Sequence, residues 1–336
     1  MATVVIAEAG VNHNGDIGMA YQLIDAAAAA GADAVKFQTF AAEDLTTASA
    51  AKAEYQVRRD GDGSQREMLS KLQLNDDHFS KLSHYCRQKN IAFLSTAFGK
   101  KQLKLLLELK IGAIKVPSGE ITHLPLLQSM AKAAKSHNLP VYMSTGMCDL
   151  GEVEAALQVF IEAGVERTDI TLMHCISAYP APTDQVNLRA IQTLARSFLC
   201  PSGYSDHTMG INAPIVAVTL GATVIEKHIT LNRKLPGPDH QASLEPNEFS
   251  KMVYSIRETE RLLGNGIKCM QICEENTRLV ARRSIRAARK ICAGSILREE
   301  DLLYQRPGDG LSPMQLSSVV GKTSEKDYNV GDLIYS

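Results

Sequence analysis

Two histidines stand where they could bind a metal ion together. Residues 203–208 read GYSDHT and residues 225–228 read IEKH, and each stretch is predicted to be a strand ending in a histidine, His207 or His228. Neutral imidazoles are good ligands for divalent transition metals. A metal held by two of them keeps positions for water and substrate oxygens, and would polarise a carbonyl group there. Taken alone, His228 is better explained as a hydrogen-bonded core residue.

Other strand-like stretches also end in polar residues, of types that bind anions. Lysines and hydroxyl groups that converge with backbone N–H groups favour a phosphate or a carboxylate. A single lysine would indicate only a structural ion pair, but the strand ends taken jointly predict an active site. The residues concerned are Glu8, Lys36, Gln38, Thr96, Lys115, Ser118, Glu120, Ser144, Ser177, Tyr179 and Ser205.

A repeat of strands and helices must position these residues. Eight apolar runs alternate with amphipathic stretches, and continuous hydrophobicity is typical of parallel strands covered on both faces. Eight such units in roughly 260 residues predict a (β/α)8 barrel, with its site at the carboxyl ends of the strands. A doubly wound open sheet is the alternative, but no GxGxxG follows the first strand. The predicted strands are 4–7, 34–38, 91–96, 113–117, 141–145, 170–175, 202–205 and 223–228.

Two parts of the chain depart from this repeat. Residues 40–74 form a long polar connection, and we expect an irregular loop that acts as a lid or binds a ligand. After a linker at 266–280, residues 281–336 become short β runs and turns. We therefore predict a barrel domain at 1–265 and a small β-rich domain at 281–336, which needs a packing partner because it is small.

Composition excludes several function classes. The net charge of −1 provides no general attraction for nucleic acid or an anionic membrane. No apolar run is long enough to span a bilayer, and the amino terminus lacks the features of a signal peptide. The seven scattered cysteines predict free thiols and a cytoplasmic protein. The basic stretch 278–290 is either a cationic rim that attracts an anionic substrate or a solvated linker with a dimer contact.

Ordered motifs along the chain resemble the sialic acid synthase family. They are AEAGVNHNGD (7–16), VKFQT (35–39), FLSTAF (93–98), KVPSGE (115–120), STGM (144–147), HCISAYPAP (174–182), GYSDHT (203–208), IEKH (225–228) and GPDHQASLEP (237–246). The stretches VARRSI (280–285) and QRPGDGLSPM (305–314) resemble the antifreeze-like (SAF) domain of that family. The resemblance covers essentially the whole chain.

The resemblance implies a condensation of phosphoenolpyruvate with an N-acyl hexosamine and water, which gives a nonulosonic acid and phosphate. It implies a divalent cofactor, Mn2+ or Mg2+, on His207 and His228, and Glu8 as an acid/base or water-positioning residue. It also implies a homodimer in which the SAF domain of one protomer caps the barrel of its partner. The implied phosphoenolpyruvate ligands are Lys36, Thr96, Lys115, Ser118, Ser144, Ser177 and Ser205, with both lysines catalytic. The implied sugar ligands are Gln38, Glu120, Tyr179, Asp239 and Arg306, with Glu120 also catalytic.

The identity of the sugar is the most open prediction. Ser177 and Ile176 replace the Asn and Thr of some family members, which leaves space for a different N-acyl sugar. We expect N-acetylmannosamine first, with a 2,4-diacetamido-2,4,6-trideoxymannose, as in legionaminic acid synthases, as the alternative. Another metal-dependent barrel aldolase or hydrolase would usually have more metal ligands. A non-enzymatic binder would have no use for a cationic site.

Overall fold

The computed structural model describes residues 2–335, apart from the side chains at positions 55, 58 and 60. The chain divides into two compact units, Met1–Gly264 and Asn265–Ser336.

The first unit is built on a sheet of eight parallel strands. The strands are hydrogen-bonded in the order β3-β2-β1-β8-β7-β6-β5-β4, and β3 and β4 also lie against each other. This nearly closed barrel confirms the predicted (β/α)8 fold and not the open doubly wound sheet. The strands are β1 Val4–Gly10, β2 Ala34–Thr39, β3 Ala92–Ala97, β4 Ile114–Val116, β5 Val141–Ser144, β6 Ile170–Cys175, β7 Ser202–Asp206 and β8 Val224–His228.

Side-chain alternation divides each strand between the barrel interior and the surrounding helices. Ile6, Leu94, Met173 and Val224 pack together as an apolar floor inside the barrel. Their strand neighbours face outwards: Val5, for example, belongs to the large core shared with the helices. Positions two residues beyond the floor therefore point into the barrel nearer to its carboxyl end, which is the end where the polar residues were predicted.

Helices surround the barrel, and they also occupy the connection that we expected to be irregular. Residues 40–74 contain three helices, so the prediction of an irregular loop is wrong. The third of them, Gln65–Leu72 (α4), is capped by Ser64, whose hydroxyl accepts from Glu67 N while the Glu67 side chain accepts from Ser64 N. This helix buries Met68 and Leu72 against Val11. The helices are α1 Ile17–Ala29, α2 Ala42–Leu45, α3 Glu54–Asp60, α4 Gln65–Leu72, α5 Asp76–Gln88, α6 Lys100–Glu108, α7 Leu124–His137, α8 Leu150–Glu162, α9 Ala190–Phe198, α10 Asn212–Thr219 and α11 Pro246–Leu263.

The second unit has its own small apolar core around a two-stranded sheet. Strands β9 (Ser284–Ala287) and β10 (Leu302–Gln305) pair antiparallel, and helix α12 (Glu275–Ala281) precedes them. Isolated bridges, such as Ile291 with Tyr328, connect the remaining segments. The core includes Ile285, Leu297 and Ile334. The predicted β-rich character of this region is thereby confirmed.

Two further sequence expectations can be compared with the structure. All seven cysteines lie within the described residues and are free thiols, as predicted. Among residues 2–335, no helix has both the length and the apolar character that crossing a membrane requires.

The barrel interior is packed closely enough that Gly203 on β7 should not tolerate a side chain. A Cβ there would lie 2.7 Å from the Val224 carbonyl oxygen and 3.3 Å from Met173 Cγ. We expect Gly203→Ala to lower the free energy of unfolding by about 1–3 kcal/mol, because overpacking forces backbone shifts. Urea denaturation measures this loss. Gly112→Ala is the control, since a Cβ there meets nothing within 4 Å. Equal midpoints for the two variants would contradict the expectation.

Candidate active site at the carboxyl ends of the barrel strands

Two lysines and two glutamates form a buried charged cluster just above the apolar floor. Lys36 Nζ lies 2.8 Å from Glu8 Oε2 and 3.7 Å from Glu226 Oε2. Lys115 Nζ lies 3.5 Å from the same Glu226 oxygen. All four side chains are less than 7% exposed. Glu226 therefore compensates both ammonium groups at once.

Neighbouring hydroxyl and amide groups hold the cluster in place. Lys36 Nζ donates to Thr96 Oγ1 at 3.0 Å, and Lys115 Nζ donates to Ser144 Oγ. Ser205 donates to Glu226 Oε1 at 3.1 Å. Gln38 Nε2 donates to Glu8 Oε1 at 3.0 Å. The strand register explains two of the contacts in the cluster, because Glu8 stands beside Lys36 and Ser205 beside Glu226 on adjacent strands.

The mutual charges set the pKa values of the four groups. Burial raises the pKa of Glu8 to about 7, against the opposing effect of Lys36. Burial would also raise the pKa of Glu226, but Lys115 and Lys36 together lower it. Burial lowers the pKa of Lys115, whereas Glu226 and Glu8 outweigh burial and raise that of Lys36. Glu8 is therefore only partly ionised near neutral pH, which leaves Glu226 as the main negative charge beside the two lysines, and this set of side chains suits an anionic ligand.

Three serines meet beside this cluster around Gly146. Gly146 N donates to Ser118 Oγ at 3.0 Å. A Cβ at Gly146 would meet the hydroxyl oxygens of both Ser118 and Ser177, so the missing side chain leaves these two hydroxyls close together. Ser144, which is bonded to Lys115, lies two residues before Gly146. Hydroxyl groups and a lysine converging in this way suit phosphate oxygens.

The two histidines lie together one layer nearer to the end of the barrel. The ring centroids of His207 and His228 are 5.3 Å apart, and the Tyr179 ring lies 4.0 Å from that of His207. His207 Nδ1 is 2.7 Å from the Ile176 carbonyl oxygen, so Nδ1 carries a proton and Nε2 is the nitrogen that could bind a metal ion. His228 Nδ1 is buried without a hydrogen-bond partner, and lies 3.9 Å from Asp239 Oδ2.

This arrangement fits a divalent metal held by few protein ligands. A histidine whose second nitrogen donates to a carbonyl is typical of metal sites, because that bond fixes the ring and its tautomer. Across residues 2–335, no group of three or more His, Cys, Asp or Glu side chains is arranged to hold a metal ion. Two imidazoles would therefore leave the other positions to water and substrate oxygens.

Glu120 pairs with a histidine, Arg306 belongs to the second unit, and Lys227 faces away from the barrel interior. Glu120 Oε2 lies 2.6 Å from Nδ1 of the half-exposed His123, and no contact joins it to the lysine cluster among the described residues. Arg306 belongs to the second unit and is exposed there. Lys227, which follows Glu226, points out of the barrel to Asp206, with 2.5 Å between Nζ and Oδ2.

Sequence reasoning missed Glu226 and Cys175. Glu226 lies two residues before His228, so strand alternation places both side chains on the inner face, and that signal could have found it. Cys175 ends β6 on the inner face, with Sγ 3.8 Å from His207 Nδ1. Its place at the end of the predicted strand 170–175 distinguishes it from the other cysteines and could have found it.

The fold and the site define a class of protein: a (β/α)8 barrel with a buried lysine–glutamate cluster and two adjacent imidazoles at its carboxyl end. The NeuB family model matches residues 23–268, and the SAF domain model matches residues 282–335. The chain belongs to the NeuB family. The predicted family and its C-terminal domain are therefore confirmed.

Individual relatives support this membership over the whole chain. The chain is 45% identical to an N,N'-diacetyllegionaminic acid synthase of Campylobacter jejuni, over 99% of this chain and 98% of the relative. Identity to the enzyme of the same name from Legionella pneumophila is also 45%, with 98% and 93% covered. A crystal structure of the N-acetylneuraminic acid (sialic acid) synthetase of Leptospira borgpetersenii is 33% identical, with a TM-score of 0.72, and covers 82% of this chain and 90% of that one.

Removing the carboxylate shared by the two lysines should be costly. We expect Glu226→Gln to lower the free energy of unfolding by about 3 kcal/mol, because two buried ammonium groups lose their common partner. Added inorganic phosphate should stabilise this variant more than the wild type, since its site is more positive. Thermal and urea unfolding, with and without phosphate, measure both effects.

Glu108→Gln is the matched control for Glu226→Gln. Glu108 pairs with Lys104 on the surface of α6 at 3.9 Å, with both side chains more than 60% exposed. Its loss should change stability by less than about 1 kcal/mol. If the two variants were equally stable, the structural importance of Glu226 would be refuted.

Proposed function

We propose that this protein condenses phosphoenolpyruvate with the open-chain form of an N-acyl hexosamine and water, giving a nonulosonic acid and inorganic phosphate. One observation carries the proposal. A buried cluster with two lysines lies directly below two paired imidazoles, at the end of the barrel where such folds bind substrates. An anionic substrate and a carbonyl substrate can thus be held side by side. The family membership supports the same conclusion.

Phosphoenolpyruvate would be held by the lysines and hydroxyls of this cluster. Lys36 and Lys115 supply the positive charge, and Thr96 and Ser144 orient them. The hydroxyls around Gly146 and on Ser205 complete the set of donors. Fixing a trianionic substrate in one orientation lowers the barrier, because its reactive carbon is kept within reach of the acceptor.

The sugar would lie above the phosphoenolpyruvate, next to the two histidines. His207 and His228 would hold a divalent cation, Mn2+ or Mg2+, which when bound supplies Lewis acidity at the aldehyde oxygen. Tyr179 and Asp239 lie against these imidazoles, and Gln38 and Glu8 extend from the cluster towards them. These four side chains are proposed to contact the sugar or, in the case of Glu8, to position the attacking water.

The bond changes balance as follows. C3 of phosphoenolpyruvate attacks the aldehyde carbon, so a C–C bond forms, the enol double bond is consumed and C2 becomes an oxocarbenium ion. The aldehyde oxygen takes up a proton and becomes a hydroxyl group. Water adds to C2 and loses a proton, for which Glu8, with a pKa of about 7, is a suitable acceptor. The C–O bond to phosphate in the tetrahedral intermediate then breaks while the C2 hydroxyl gives its proton to the departing phosphate, which leaves a ketone and hydrogen phosphate.

The relatives favour a particular sugar. Both legionaminic acid synthases are 45% identical to this chain, whereas the sialic acid synthetase of known structure is 33% identical. We therefore propose a 2,4-diacetamido-2,4,6-trideoxymannose as the substrate. This reverses the order expected from the sequence alone, where N-acetylmannosamine came first.

A homodimer would supply the remaining sugar ligand. Arg306 is exposed on its own unit, so its guanidinium group is available to a second chain. We propose that it contacts the sugar bound in the partner's barrel, and that Glu120 also serves the sugar. Mixing Arg306→Ala with an inactive Lys115→Ala variant should restore activity if the arginine acts between chains.

A phosphate-release assay tests the proposed reaction directly. We expect release only when phosphoenolpyruvate and an aldose are both present, with a kcat/KM at least tenfold higher for the 2,4-diacetamido sugar than for N-acetylmannosamine. A difference of about 1.4 kcal/mol in transition-state binding produces that factor. Excess EDTA should stop the reaction and Mn2+ should restore it. Full turnover in EDTA would refute the metal role, and equal use of both sugars would refute the specificity.

The two hydroxyls around Gly146 give a test of the phosphoenolpyruvate site alone. Gly146→Ala would displace Ser118 and Ser177, since its Cβ meets both hydroxyl oxygens. We expect the KM for phosphoenolpyruvate to rise roughly tenfold, for a displacement cost of about 1.4 kcal/mol. Gly119→Ala is the control in the same region, because a Cβ there meets nothing within 4 Å. A similar rise in the KM for phosphoenolpyruvate in both variants, or in neither, would count against assigning Ser118 and Ser177 to the phosphoenolpyruvate site.

A further inference from the structure

A buried ion pair lies on the outer side of strands β7 and β8, directly behind the two histidines. Lys227 Nζ is 2.5 Å from Asp206 Oδ2, and both side chains are 0% exposed. Strand alternation turns this pair towards the helices, whereas Ser205 and Glu226 face the barrel interior and are hydrogen-bonded to each other. The two strands are thus joined by side chains on both faces.

The ion pair also holds the chain just beyond His207. Asp206 Oδ1 accepts from Thr208 N at 2.8 Å and from Tyr204 Oη at 2.8 Å. Asp206 Oδ2 accepts from Thr208 Oγ1 at 3.1 Å. Lys227 donates in addition to the Thr208 carbonyl oxygen. Because Thr208 directly follows His207, these bonds fix the backbone on both sides of that histidine.

The strand register links this network to the imidazoles. Ser205 pairs with Glu226, and Asp206 pairs with Lys227. The next pair in the same register is His207 with His228, whose rings stand 5.3 Å apart. Where a strand ends, no further ladder bonds fix the chain. The ion pair is the last residue pair of the β7–β8 ladder, directly before the histidines, and so it fixes the two histidines relative to each other.

We propose that Asp206 and Lys227 are positioning residues, which set the separation and orientation of His207 and His228 for a divalent cation. The proposal rests on the metal site of the proposed function. Stability alone does not account for the pair, since apolar residues of similar volume usually stabilise a buried position at least as well. Side chains that orient metal ligands commonly change metal affinity by 10- to 100-fold when removed.

The test measures metal binding separately from catalysis. Lys227→Met keeps the length of the side chain and removes the ammonium group. We expect Mn2+, followed by the EPR signal of the free ion, to bind this variant about 10- to 100-fold more weakly than the wild type. The visible spectrum of bound Co2+ should also change in shape, because it reports ligand geometry. A purely structural role would lower the melting temperature but leave both readouts as in the wild type.

Arg257→Met is the matched control. Arg257 Nη2 lies 2.7 Å from Asp33 Oδ2, and Asp33 precedes β2, at the opposite end of the strands. This variant also loses an ion pair of the barrel unit, so Mn2+ affinity within twofold of wild type is expected. Circular dichroism verifies the fold of each variant. If Lys227→Met fails to fold, the double variant D206N/K227M carries the test, because it buries no unpaired charge; the same loss of affinity is expected.

The outcomes separate this inference from the proposed function. A folded Lys227→Met or D206N/K227M protein with wild-type Mn2+ affinity and an unchanged Co2+ spectrum overturns the positioning role, while the metal site itself stands. A wild-type protein that binds neither Mn2+ nor Co2+ overturns the metal site, and the inference with it. If Arg257→Met loses as much Mn2+ affinity as Lys227→Met, the loss is a general effect of removing an ion pair. That outcome also overturns the positioning role.

Discussion

Burying two lysine ammonium groups inside one barrel is the constraint on which the rest of the site depends. Like charges in a poorly solvated interior repel strongly, and each also loses its hydration. Glu226 meets this cost by lying within 3.7 Å of both Lys36 and Lys115. One carboxylate cannot neutralise two cations, and Glu8, with its pKa raised to about 7, is only partly ionised. An anionic substrate would supply the further negative charge beside the two lysines.

The closed parallel barrel makes this arrangement possible. Alternation stacks the interior in layers, so an apolar floor containing Ile6 and Met173 lies below the charged cluster, and the imidazoles lie above it. The floor excludes water from one side, which strengthens every charge interaction in the layer above. The order of layers would place an anion bound by the charged cluster next to a group bound by the imidazoles along the barrel axis.

Much of this could be predicted from the sequence, because it depends on local pattern. Eight apolar runs predicted the barrel, and the polar strand ends predicted most of the residues now found close together. Glu226 was missed because only the last residue of IEKH, His228, was considered as a site residue. Strand alternation alone places the Glu226 side chain inward and the Lys227 side chain outward. The helices in 40–74 were missed for another reason: their polar sequence resembles a loop, and helix α4 gains its stability from the burial of Met68 and Leu72, which only the tertiary structure shows.

Strands β7 and β8 show how one pair of strands can serve chemistry and geometry at once. Their inward residues, Ser205, Glu226 and the two histidines, provide the groups that would contact substrates and metal. Their outward residues, Asp206 and Lys227, are ionic although they face an apolar helix layer. Apolar packing is non-directional and would leave the ends of the strands able to rotate, whereas a hydrogen-bonded ion pair fixes direction as well as distance. An electrostatic contact is therefore expected at the last residue pair of β7 and β8, next to the histidines, where orientation matters more than stability.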